Sequence, residues 1–161
     1  MHAVFLVFLA AGAVFVWWSS GALPEVVASH FVSGGVANGF MPRGEFVGFM
    51  LAVVLLVPAL LYSLGWLASR LPVQFVNLPN RQYWLAPERR AATLVRLERF
   101  GVWAAYATLG LLCVLHWLVV QANAQRPPHL EQSPFVGLMA VYFLALFVGM
   151  VAVLGRFFRV P

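Results

Sequence analysis

The chain has 161 residues, of which 63% are hydrophobic and only 9% charged, with a mean hydropathy of +0.89. A water-soluble domain carries about a quarter charged residues and under half apolar ones, so a soluble globular enzyme is excluded and a membrane protein is expected. The formal charge of +5 comes from ten basic residues, all Arg, against five acids, all Glu. These arginines punctuate apolar blocks and form no single solvated stripe, so nucleic acid is not an expected partner.

A bilayer-spanning helix needs roughly 20 apolar residues, and four blocks meet or approach that length: 3–18, 46–67, 101–120 and 135–154. None contains an Arg or a Glu. The first block competes with a secretory h-region, because Ser20-Gly21-Ala22 offers small residues for a signal peptidase. No Lys or Arg precedes it, however, and it is read as a retained span that closes on the anchors Trp17 and Trp18. Residues 19–45 then form a loop whose Gly34-Gly35 and Asn38-Gly39 are turn formers. Pro58 lies mid-way along the second span, where it removes one backbone hydrogen bond.

The segment 68–100 carries six arginines and the tail adds Arg156 and Arg159, whereas the other two loops hold only Arg43 and Arg126. By the positive-inside rule both termini and residues 68–100 are cytoplasmic, and residues 19–45 and 121–134 face outward. Leu71-Pro72 and Leu78-Pro79 interrupt any helix there. From Pro87, a good first helical residue, a short basic amphipathic helix is expected at the inner surface, running into the third span. Tyr83, Trp84, Arg89, Arg90, Arg96 and Arg99 form a candidate surface for anionic inner-leaflet lipid or a partner. The competing reading is a connector whose arginines only set topology. Gly137, Ala145, Gly149 and Ala152 in the fourth span and Ala104 and Thr108 in the third let helices approach closely. The expected architecture is one all-α domain over residues 1–161, a polytopic four-helix bundle with N-in/C-in topology.

The first outward loop reads Leu23-Pro24, then His30-Phe31, then Gly35, then Asn38-Gly39-Phe40, directly before the second span. Over roughly residues 10–65 this resembles the bacterial membrane family called domain of unknown function 1648. Residues 77–90 also resemble a stretch of uncharacterised bacterial members. The resemblance implies a multi-pass protein of the bacterial cytoplasmic membrane. Its best-understood relatives, the SdpI-like proteins, confer immunity to a secreted toxin and can hold a repressor at the membrane. Those relatives carry a further C-terminal signature that these 161 residues do not contain, so the resemblance carries architecture further than activity.

Chemistry is sought on the outward side. His30, His116 and His129 are candidate ligands for a Zn or Cu ion, with Cys113 one turn from His116 on the same helix face. The weightier alternative gives each histidine a hydrogen-bonding role, and no cofactor is predicted. No His-Glu-x-x-His pair, Gly-x-Ser-x-Gly elbow or phosphate-binding Gly-rich loop occurs, so no catalytic residue is assigned and a non-enzymatic protein is expected. Two functions of different class remain: a sensing or binding module built on the outward loop, and an accessory subunit packed against other membrane subunits or itself.

Overall fold

The computed structural model describes residues 2–160. Helix accounts for 74% of the chain. Four helices are long and apolar enough to cross a membrane, and the chain is a multi-pass membrane protein. In order these are α1 (His2–Ser19), extended by a 3-10 turn (Ser20–Ala22), α2 (Arg43–Ala68), α4 (Pro87–Ala124) and α5 (Gln132–Phe157); α3 (Arg81–Trp84) is a single turn before α4. The fold is not all-α, because β1 (Val26–Phe31) and β2 (Ala37–Pro42) pair as an antiparallel hairpin in the segment expected as loop. Turn formers at 34–35 fit a hairpin as well as a loop, and both glycines there have positive φ (89° and 78°).

The four-helix bundle is also corrected. Three helices, α1, α2 and α4, share a core of Phe5, Leu9, Val16, Met50, Val54, Tyr62, Ala105, Leu109 and Val120. Among the long helices α5 packs on α4, and no residue of its most apolar 18-residue stretch is buried. Apolar side chains all round a helix do not demand a protein partner when lipid is the solvent.

Close approaches between helices are made by glycines. At the α2–α4 crossing Gly65 and Gly101 face each other so tightly that a Cβ on Gly101 would lie 2.5 Å from the Gly65 Cα. Gly12 seats α1 against Leu109 and Cys113 of α4 and Val54 of α2. Gly149 of α5 faces Phe100 and Trp103, and Thr108 Oγ1 lies 2.8 Å from the Tyr142 hydroxyl. Thr108 donates to the Ala104 carbonyl (2.8 Å), so the tyrosine is the donor to Thr108 across this joint. Pro58 is buried inside α2 and does not end it.

The short amphipathic helix expected before the third span is no separate element. Residues 87–124 are one helix of 38 residues, about 57 Å long at the standard rise, well beyond the roughly 30 Å of a bilayer's hydrocarbon. Nothing between Pro87 and Gly101 can break it, since Pro87 itself occupies the first turn, where its missing N–H costs nothing. At this end of the molecule Val76, Leu78, Leu85 and Leu94 form a second small core around Phe157, which is 1% exposed.

Candidate functional site

The end of the bundle that carries the hairpin gathers the loop motif and the three histidines read as candidate ligands, His30, His116 and His129. Its foundation is the α1–α2 connection. Leu23 is buried and its carbonyl accepts from Arg43 Nη1 (3.1 Å), while the Glu25 carbonyl accepts the Arg43 backbone N–H (2.8 Å). The chain thus leaves α1, forms the hairpin and re-enters α2 with the first helical N–H already satisfied. Pro24 sits between these two carbonyls and has no N–H of its own to place.

Asn123, on the last turn of α4, clamps the hairpin. Its Oδ1 accepts the Ala28 N–H (2.8 Å) and its Nδ2 donates to the Ala28 carbonyl (3.0 Å) and to the Val119 carbonyl (2.9 Å). One amide side chain therefore stands in for a neighbouring strand on the free edge of β1. The turn is fixed at a second place: Gly35 accepts the Leu130 N–H (2.9 Å) and Val36 bridges His129. A side chain at Gly35 would run into the Leu130 carbonyl, and its φ of 78° adds a reason for glycine.

Within the hairpin the motif residues explain one another. His30 pairs across the strands with Gly39, and a Cβ on Gly39 would come 2.8 Å from the His30 Cβ. The His30 Nδ1 is hydrogen-bonded to Asn38 Oδ1 (2.5 Å). The "HF" and "NG" dipeptides are thus two halves of one cross-strand contact. Both His30 and Asn38 are exposed, as are Val26 and Phe40, whereas Val27 and Ala28 are buried against the helices. Phe31 is half-buried at the end of β1.

His116 lies beneath the hairpin and is 0% exposed. Its ring stacks on Phe46 at 5.9 Å and meets Phe15 edge-on at 6.3 Å. Its Nε2 is 3.0 Å from Ser19 Oγ and 3.4 Å from Ser20 Oγ. Each serine spends its only proton on its own helix, Ser19 donating to the Phe15 carbonyl (2.6 Å) and Ser20 to the Val16 carbonyl (2.7 Å). The imidazole Nε2 is therefore the N–H donor, and the Nδ1, which has no partner among the described residues, carries the lone pair. This arrangement ties α1 to α4. It does not activate a serine, because the serine protons are directed at carbonyls and not at the ring.

The three histidines proposed as metal ligands take separate places: His30 on the exposed hairpin, His116 in the core, and His129 in the 125–131 segment beside Gly35. Among the described residues no three His, Cys, Asp or Glu side chains come close enough to hold a metal ion. Cys113 instead lines a shallow apolar hollow with Phe15, Trp18, Val114 and Trp117. A larger groove of about 570 Å³ runs between the end of α1 and the start of α2, lined by Trp17, Trp18, Ser20, Arg43, Val47 and Leu51. Its floor touches the His116 network through Ser20.

At the opposite end, Tyr83 and Trp84 pack edge to face (5.1 Å) and the Arg89 guanidinium lies 4.0 Å over the Tyr83 ring. Trp84 Nε1 and Asn80 Nδ2 donate to the Phe157 carbonyl (3.1 and 2.9 Å). Sequence reading missed this use of the 77–90 stretch. The signal for it is Asn80, whose left-handed φ of 50° suits Asn better than most residues. Arg90 and Arg99 are exposed and Arg96 is half-buried.

No protein-family model matches the chain, and no curated protein or solved structure is similar to it.

Proposed function

We propose that this chain is a small multi-pass protein of the bacterial cytoplasmic membrane, of the domain of unknown function 1648 type, that works as a non-enzymatic sensing or binding module. In this reading the hairpin faces outward, both termini and the arginine-rich end face the cytoplasm, and the anionic inner leaflet neutralises that end. One observation carries it. The hairpin is held by Arg43, Asn123 and Leu130 as a rigid platform, yet it leaves Val26, His30, Asn38 and Phe40 exposed. Preorganised apolar groups beside a polar pair are the usual makings of a recognition surface.

The second reading, an accessory subunit, is favoured by α5, whose Val141, Phe143, Leu144, Phe147 and Val148 are exposed along one side of the molecule. A photo-crosslinking amino acid at position 40 and, separately, at position 147 distinguishes the two in cells. Adducts at 40 with a secreted ligand support the binding module. Stoichiometric adducts at 147 with another membrane chain, and none at 40, overturn it in favour of the subunit. Orientation has its own test. A membrane-impermeant maleimide should label a single cysteine at position 38 in intact spheroplasts and leave one at position 82 unlabelled; the reverse pattern refutes the topology.

A further inference from the structure

The hairpin platform leaves unused a cavity at the other end of the molecule. Between α3, α4 and the end of α5 lies a hollow of about 560 Å³ lined by Arg96, Arg156 and Arg159, with Trp84 as one wall and Val151, Ala152 and Gly155 as its apolar side. A smaller cavity of about 180 Å³ adjoins it and shares Trp84, Arg96 and Arg156; Arg89, Ala92, Thr93 and the carboxylate Glu88 line the rest. Among the described residues no carboxylate lines the larger hollow. Three arginines, Arg96 on α4, Arg156 in the last turn of α5 and Arg159 just beyond it, therefore line one space, and like charges so placed favour an anion there.

We infer that this hollow is a discrete site for the phosphate of an anionic phospholipid. Guanidinium presents paired N–H donors that match phosphate oxygens, and it is less strongly hydrated than ammonium, so it binds phosphate well at a membrane surface. Arg156 lies in the last turn of a helix long and apolar enough to cross a membrane and Arg159 just beyond it, where headgroups are expected, and Arg96 lines the same hollow from α4. The apolar side made by Val151 and Ala152 continues along α5 toward the hydrocarbon. A free phosphate has no use for that surface, whereas the first acyl carbons of a lipid do. Trp84 is suited to the same depth, because its indole is amphipathic, and it is held there by its bond to the Phe157 carbonyl. The site depends on these helices spanning a bilayer but not on which side the hairpin faces, so a failure here leaves the outward-platform reading standing.

The test uses the full chain in phosphatidylcholine nanodiscs doped with phosphatidylglycerol, with retained lipid counted by native mass spectrometry after ejection. The wild type should retain one phosphatidylglycerol per chain in preference to phosphatidylcholine. At about 1 kcal/mol per arginine, Arg96→Gln/Arg156→Gln/Arg159→Gln together should lower that preference about 100-fold, and Arg159→Gln alone about fivefold. The control variant Arg70→Gln/Arg81→Gln removes two exposed charges that do not line the hollow and should stay within about twofold, because exposed charges act on the site only through screening solvent, whereas Arg156→Gln/Arg159→Gln should lower the preference about 30-fold. Equal loss in both double variants, or none in either, overturns the site. Glycerol phosphate binding as tightly as the lipid overturns the lipid assignment in favour of a soluble phosphate ester. Should the triple variant lose its helical circular dichroism, Arg159→Gln decides, since it lies beyond the last helical residue and unchanged retention there refutes the proposal.

Discussion

Replacing Gly101 with Ala probes the contact on which the three-helix core turns. The new Cβ would sit 2.5 Å from the Gly65 Cα and 3.2 Å from the Gly65 backbone nitrogen, and a backbone atom has no rotamer with which to withdraw. Carbon atoms rest about 3.5–4.0 Å apart, so α2 and α4 must separate locally by about 1 Å or more. A gap of that size forfeits a quarter to a half of each affected contact's dispersion energy, along the most extensive helix–helix interface in the molecule. Overpacking of this kind costs about 1–3 kcal/mol, and the better helix propensity of alanine returns about 1 kcal/mol, leaving a net loss of about 0–2 kcal/mol. Gly110 lies on the same helix with nothing within 4 Å of its Cβ position, so Gly110→Ala should be neutral or slightly stabilising. Unfolding of the purified chain in mixed dodecylmaltoside and SDS micelles, followed by circular dichroism, measures both. Gly101→Ala as stable as Gly110→Ala would refute the close crossing. Adding Gly65→Ala to Gly101→Ala should cost less than the sum of the two singles, because the first displacement makes room for the second.

Further expectations concern the two ends. Asn123→Ala orphans the N–H and C=O of Ala28, a residue with 0% exposure, and should destabilise the hairpin by about 2–4 kcal/mol; amide exchange should quicken in 26–31 and 37–42 while the core of α2 stays protected. His116→Phe keeps an aromatic face against Phe46 and leaves the serine protons on their carbonyls, so it should cost less than about 1.5 kcal/mol. His116→Ala empties the same space and should cost about 3 kcal/mol or more in the same detergent titration. Asn80→Ala removes both a left-handed residue that tolerates φ of 50° and a bond to the Phe157 carbonyl. It should cost about 1–2 kcal/mol and expose the tail from 155 onward to limited proteolysis.

Long apolar blocks and their Arg-rich punctuation made the four membrane helices legible in the sequence, because burial in lipid demands an uninterrupted run and the cost of a charge marks each end. Where helices continue past the apolar run, the pattern is silent. Residues 87–100 are helical as part of α4 although they are too polar to enter a bilayer; Pro87 as a helix start made that helix legible, but nothing in the apolar pattern showed that it is continuous with the span. The hairpin was missed for a different reason. Its six-residue strands, VVASHF and ANGFMP, bury mainly Val27 and Ala28; burial alternates along β2, but the less exposed positions are Ala37, Gly39 and Met41, so no apolar–polar alternation in the sequence betrays it. Their order comes from Asn123, 95 residues away along the chain. The histidines illustrate the same limit. Their topological placement suggested one cluster, yet an 8-residue step separates His30 from its partner Asn38 on the surface, while His116 finds Ser19 inside the core. Side-chain partners of that kind follow from register, which composition cannot supply.

The glycine contact between α2 and α4 also divides the long helix unequally. Asn123, which grips the hairpin, stands 22 residues beyond Gly101, and Arg96, which lines the arginine hollow, stands 5 residues before it, or about 33 Å and about 7.5 Å along the axis. Asn123 thus stands about four times farther from the crossing than Arg96 does, so a change in the crossing angle at Gly65 and Gly101 would displace the hairpin end of α4 more than the arginine end.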